Sequence, residues 1–97
     1  MYFTYYNPMI VEYDTAKSEG NKAKHGLSLA FGARIFEDPD MVIFETIREG
    51  DEEGRFRAVG MVDGKLYTGV HVYRGEAVRF ISVRRSNDGE EKTYHRT

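Results

Sequence analysis

Apolar and polar residues along the chain change period near its middle. Met9-Ile-Val-Glu-Tyr13 reads as a short first strand. Asp14 then offers a side-chain acceptor to free backbone N–H groups, which predicts a helix over Thr15–His25, and Gly26 suits the left-handed position that ends it. The apolar face of that helix is thin, only Ala16 and Ala23, so it must depend on tertiary packing. Ser28 is placed to cap a second short helix carrying Leu29, Ala33 and Phe36 at helical spacing, and Asp38-Pro39 stops it.

From there the period is that of strands. Met41–Ile47, Arg55–Val62, Lys65–Tyr73 and Glu76–Arg84 form an expected antiparallel meander, with a charged loop over Glu49–Gly54. Asp63-Gly64 is the strongest hairpin signal, and Arg74-Gly75 marks the next turn. Asn87-Asp88-Gly89 turns the chain into a final short helix over Glu90–Arg96. Two helices before a four-stranded meander, plus the short N-terminal strand, indicate an α+β fold.

Length and composition narrow this further. The 97 residues suit one domain, 1–97, with residues 1–8 as an aromatic N-terminal extension. The Tyr and Phe residues near the N-terminus are expected in the core or an interface. There is no cysteine, so disulfides, thiolate metal sites and a cysteine nucleophile are excluded. No apolar run approaches the ~20 residues of a membrane helix, and the first residues lack a signal-peptide pattern. A cytoplasmic protein is expected. The net charge of −2 runs against simple nucleic-acid binding. Its distribution is uneven: from Arg34 to Arg57 eight acids meet four bases, whereas from Arg79 onward five bases meet three acids.

Two groups of residues have the makings of chemistry. Lys17, Asn21, Lys24 and His25 share one helix face. A Lys–His pair there can hold a phosphate and move a proton, because histidine titrates near neutral pH. The same spacing equally suits a solvated basic face. On the last strand, simple alternation sends Arg79, Ile81 and Val83 to one side and Phe80, Ser82 and Arg84 to the other. Arg79 either lines a phosphate-binding cleft or pairs with a carboxylate, and the residues leave both open. His71 and His95 read as surface residues. Three scattered histidines do not make a metal site, and no cofactor motif is present.

The run Tyr13-Asp14-x-x-Lys17-x-x-x-Asn21-x-x-Lys24-His25-Gly26-x-Ser28 resembles the N-terminal signature of the BrnT family. Ala33, Phe36 and Asp38 continue the likeness. Arg55-Phe-Arg-Ala-Val-Gly60 is similar to the family's Arg-aromatic-x-x-Ile-Gly strand, and Ile81-Ser-Val-Arg-Arg85 to its Ile-Ser-Ala-Arg segment. Glu90 and Tyr94 fall at its closing Glu-x-x-x-Tyr spacing. Tyr13 stands where Trp is usual and Leu29 where Phe is usual, and both remain apolar.

The resemblance implies a RelE-like fold, a small antiparallel sheet with helices packed on it. It implies a toxin of a type II toxin–antitoxin system that cleaves RNA without a metal ion and inhibits translation. The implied partner is a BrnA-like DNA-binding antitoxin, in a hetero-oligomer that reaches DNA only through that antitoxin. On this likeness Lys24, His25, Arg79 and Arg84 are the expected catalytic residues. Lys17, Asn21, Arg55, Arg85 and Tyr94 are expected to contact RNA. The alternatives are a catalytically inactive partner-binding module of the same fold and a small RNA-binding regulator without cleavage.

Overall fold

A computed structural model describes residues 2–6 (backbone only), 9–46 and 54–96, so most of the expected charged loop over Glu49–Gly54 lies outside the described residues. Strands β1 (Tyr2–Tyr6) and β2 (Met9–Tyr13) form an antiparallel hairpin. Helix α1 (Thr15–His25), a 3-10 turn at Leu29–Phe31 and the short helix α2 (Gly32–Ile35) follow. They carry the chain to the far edge of the sheet, where β3 (Val42–Thr46) begins. The chain then returns strand by strand through β4 (Arg55–Val62), β5 (Lys65–Arg74) and β6 (Ala77–Arg85). Helix α3 (Asp88–Arg96) closes it.

The result is one six-stranded sheet in the order β1-β2-β6-β5-β4-β3. Every neighbouring pair is antiparallel except β2 with β6. The expected α+β class and the four-stranded meander are both present. Strand β1 is an addition, because the sequence marks residues 1–8 only as an extension.

Local chemistry sets the ends of several elements. Asp14 accepts a hydrogen bond from the Lys17 N–H at 3.1 Å, and Gly26 ends α1 at φ 76°. Asp63 and Gly64 both have positive φ, 50° and 81°, as a two-residue hairpin of type I′ requires. The second helix differs from expectation. Ser28 makes no side-chain cap bond, and the segment splits into the 3-10 turn and the brief α2.

The main core lies between one sheet face and the segment of the 3-10 turn and α2. Val11, Ala58, Val62, Val78, Phe80 and Val83 of the sheet meet Leu29, Ala33 and Ile35. Close approach here needs small residues: a Cβ on Gly60 would stand 2.7 Å from the Ile35 carbonyl oxygen, and one on Gly32 about as near the Phe80 ring, at 2.5 Å. On the opposite face Val59, Leu66 and Val72 are also buried.

His71 corrects the sequence reading, for it is fully buried rather than superficial. Phe36, Phe56, Tyr73 and Phe80 surround its ring, and Nδ1 lies 2.9 Å from the Gly69 carbonyl oxygen. Alternation alone could not say which face of β5 would be covered. Burial depresses the His71 pKa, opposed by the Gly69 carbonyl.

A β-bulge reshapes β6. Val70 faces Ser82 and His71 faces Phe80, so Ile81 has no partner in β5. The extra residue resets the alternation, and Phe80 and Val83 both enter the core. Arg79, Ser82 and Arg84 lie across from Val72, Val70 and Thr68, three residues that share a face. The expected separation of Arg79 from Arg84 is therefore wrong: both sit on the face away from the main core.

Candidate functional site

Helix α1 packs through polar atoms. Ala16 and Ala23, its expected apolar face, are exposed, while Ser18 and Asn21 are buried. Ser18 Oγ accepts the Leu29 N–H at 2.9 Å. The Asn21 amide donates to the carbonyls of Leu27 (2.7 Å) and Val83 (2.8 Å), and accepts the Val83 N–H at 3.2 Å. Pairing of β2 with β6 stops at Glu12–Arg79. Beyond it, Asn21 takes the place of a neighbouring strand, meeting the donor and acceptor of Val83 with one side chain.

This clamp fixes what projects from the helix. Lys17, Gly20, Asn21, Lys24 and His25 face Ile81 and Ser82 across an open groove of about 400 Å³. Lys17 and Lys24 are exposed, and His25 is half-buried. Among the described residues none of these three side chains is held by a salt bridge or hydrogen bond. The expected Lys17–Asn21–Lys24–His25 face is thus assembled, with Asn21 as its anchor. A helix C-terminus carries partial negative charge, which Lys22, Lys24 and His25 in the last turn offset. An imidazole and two ammonium groups lining one groove with a hydroxyl can bind a phosphodiester and transfer a proton.

The arginines are engaged elsewhere. Arg79 Nη1 pairs with the buried Glu12 carboxylate at 2.6 Å, one of the two outcomes the sequence left open. Arg84 forks onto Glu90 at 2.7 and 2.8 Å. Glu90 also accepts from Arg57 (3.3 Å), the Thr68 hydroxyl (2.9 Å) and the Asn87 N–H (2.9 Å). Burial works to raise the Glu90 pKa, but the bonds from Arg84, Asn87 and Thr68 outweigh it and hold the carboxyl below its usual value. The Arg84 pKa is raised by the same bond. Arg85 lies over the Tyr67 ring, 5.5 Å from its centroid, and Arg55 is half-buried on β4.

Tyr94 stands apart from the groove and donates to Asp38 Oδ2 at 2.7 Å. Asp38 also accepts the Met61 and Asp40 N–H groups. Those bonds lower its pKa against the effect of burial. The hydrogen bond to Asp38 pushes the Tyr94 pKa up to about 12.

Glu90 is the hub that sequence reasoning passes over as a site residue. Its signal is present: Asn87-x-x-Glu90 is a capping box, with the Glu90 N–H donating back to Asn87 Oδ1 at 2.9 Å. Ser82 likewise has no role on sequence grounds, because only the bulge turns it to the groove.

The chain thus has an α+β fold with a basic, histidine-bearing groove. Residues 13–90 match the family model described as "Ribonuclease toxin, BrnT, of type II toxin-antitoxin system". The match covers most of the chain, and the protein belongs to that family. A search of curated proteins found no match. No helix among the described residues is long and apolar enough to cross a membrane.

Proposed function

We propose that this protein is an active endoribonuclease of the RelE-like kind, which cleaves RNA without a metal ion and so inhibits translation. A BrnA-like DNA-binding antitoxin neutralises it in the cytoplasm, in a hetero-oligomer. Family membership supports the class, and the six-stranded, mostly antiparallel sheet with helices agrees with the fold. The observation that carries activity is the placement of half-buried His25 with Lys17 and Lys24 in one groove.

In the proposed reaction the ribose 2′-oxygen attacks the neighbouring phosphorus and the bond from phosphorus to the 5′-oxygen breaks. The products are a 2′,3′-cyclic phosphate and a 5′-hydroxyl. One proton leaves the 2′-hydroxyl and one reaches the departing 5′-oxygen. His25 carries one of these transfers. Lys24 and Lys17 hold the non-bridging oxygens as charge develops. Arg79 and Arg84 flank Ser82 on their sheet face, each held in place by a carboxylate. In this reading they add positive potential beside the phosphate, with Arg55, Arg85 and Tyr94 contacting flanking nucleotides. Asn21 serves as anchor.

The test is cleavage of a defined RNA by purified protein freed of any co-purifying partner, in EDTA, beside His25→Ala. Cleavage is expected to survive chelation and to fall by about 10²–10⁴-fold in the variant. No cleavage by folded wild type would sink the proposal. A second reading, an inactive partner-binding module, draws on the strand arginines, since Arg79 and Arg84 both spend charge on buried carboxylates.

A further inference from the structure

Ser82 occupies an unusual place in the sheet. It lies just after the bulge at Ile81 and beyond the point where β2 stops covering β6. The neighbouring hydroxyls are committed. Thr68 bonds Ser86 and Glu90, and Ser18 bonds the Leu29 N–H. Ser82 is half-buried, lines the groove opposite Lys17, Lys24 and His25, and makes no side-chain hydrogen bond to any described residue. Its hydroxyl is not sealed from solvent, so a ligand entering the groove can reach it. The strand segment that holds Ser82 is also fastened in place, because Asn21 ties the next residue, Val83, to α1 through both its N–H and its carbonyl.

We infer that Ser82 is the strand-side phosphate-binding residue of this groove, its hydroxyl donating to a non-bridging oxygen of an RNA phosphodiester that Lys17 and Lys24 grip from the helix side. The inference rests on the ribonuclease reading for the identity of the ligand. Its chemistry is complementary: the ammonium groups supply charge without direction, and a hydroxyl fixed on a strand supplies direction without charge. The bulge is the device that provides this, by re-aiming one side chain at the end of a pairing interval. A regular β6 would give Ser82 to the main core and leave the groove without a donor on that wall.

The experiment uses the full chain, freed of partner, and a fluorescently labelled 2′-O-methyl oligoribonucleotide, which binds but cannot be cleaved. Ser82→Ala is expected to weaken binding by about ten- to a hundredfold, in keeping with loss of one charge-assisted hydrogen bond. Ser82→Thr, which keeps the hydroxyl, restores most of it. Salt dependence separates this role from a structural one. Ser82→Ala leaves the slope of log affinity against log salt unchanged, whereas Lys24→Ala reduces it by about 0.7, as loss of one phosphate contact requires. Binding by Ser82→Ala within twofold of wild type overturns the inference, as does a wild type that does not bind the oligonucleotide. Should Ser82→Ala weaken binding while wild type fails to cleave unmodified RNA, the phosphate site stands and the nuclease reading alone falls.

Discussion

Arg84 meets Glu90 in a two-point fork, Nη1 to Oε1 at 2.7 Å and Nη2 to Oε2 at 2.8 Å, and so ties the last strand to the closing helix. The carboxylate is almost wholly withdrawn from solvent and also draws in Arg57 on β4 and Thr68 on β5. A buried pair of this kind is costly to break from one side, since the remaining charge loses its partner. Glu90→Gln is expected to destabilise the protein by about 3–5 kcal/mol in urea unfolding. A Glu90→Gln protein as stable as wild type would show that the fork contributes little.

Asn21 is expected to behave as a clamp. Asn21→Ala strands the donor and acceptor of Val83 and the carbonyl of Leu27. The expected cost is about 2–3 kcal/mol, from several buried groups left unpaired. Asn21→Asp should fare no better, because a carboxylate can accept from the Val83 N–H but cannot donate to two carbonyls. Denaturant midpoints of the two variants decide the matter.

Acid should weaken the fold in two stages. The folded His71 pKa lies below the ordinary 6.5, because burial disfavours the charged ring. Above pH 6.5 neither folded nor unfolded chain carries this proton. As pH falls below 6.5 the unfolded chain gains it first, so stability drops until the folded pKa is reached. Glu90 and Asp38 have depressed pKa values, relative to 4.5 and 3.8, and their contribution is lost as pH falls further through the folded values. Urea midpoints between pH 5 and 8 should slope downward toward acid in wild type and flatten in His71→Phe.

Two glycines should respond oppositely to alanine. Gly20 sits inside α1, and a methyl group added there would meet nothing within 4 Å, so Gly20→Ala should stabilise by roughly 0.5–1 kcal/mol. At Gly60 the added methyl would stand 2.7 Å from the Ile35 carbonyl oxygen. Overpacking there should cost about 1–3 kcal/mol. Thermal unfolding of both variants gives the comparison.

Tyr94 should ionise late. Its hydroxyl donates to Asp38, and loss of that proton would set two negative charges together, which pushes its pKa up to about 12. A folded pKa raised above the ordinary 10.0 gives stability that is complete below pH 10 and is lost as pH rises through 12. Ultraviolet titration of the folded protein should show one tyrosine ionising later than the others, and Tyr94→Phe should remove that late step.

Much of this protein was set by neighbours in sequence. Asp14, Gly26 and Asp63-Gly64 act within a few residues of themselves, so the ends of α1 and the β4–β5 hairpin could be read directly. The alternating pattern likewise gave the meander, and helical spacing put Lys17, Lys24 and His25 on one face. Tertiary structure decided what those faces meet. Whether Arg79 was free depended on Glu12, which lies 67 residues away in sequence and reaches it only because β2 and β6 run parallel. The burial of His71, the inward turn of Asn21 and the gathering of Arg57, Thr68 and Arg84 around Glu90 depend in the same way on distant segments. The bulge at Ile81 changed the faces of β6 although its residues suit plain alternation. Local propensity fixes turns and caps because their partners are near in the chain, whereas a buried charge or amide is defined by partners that only the folded sheet supplies.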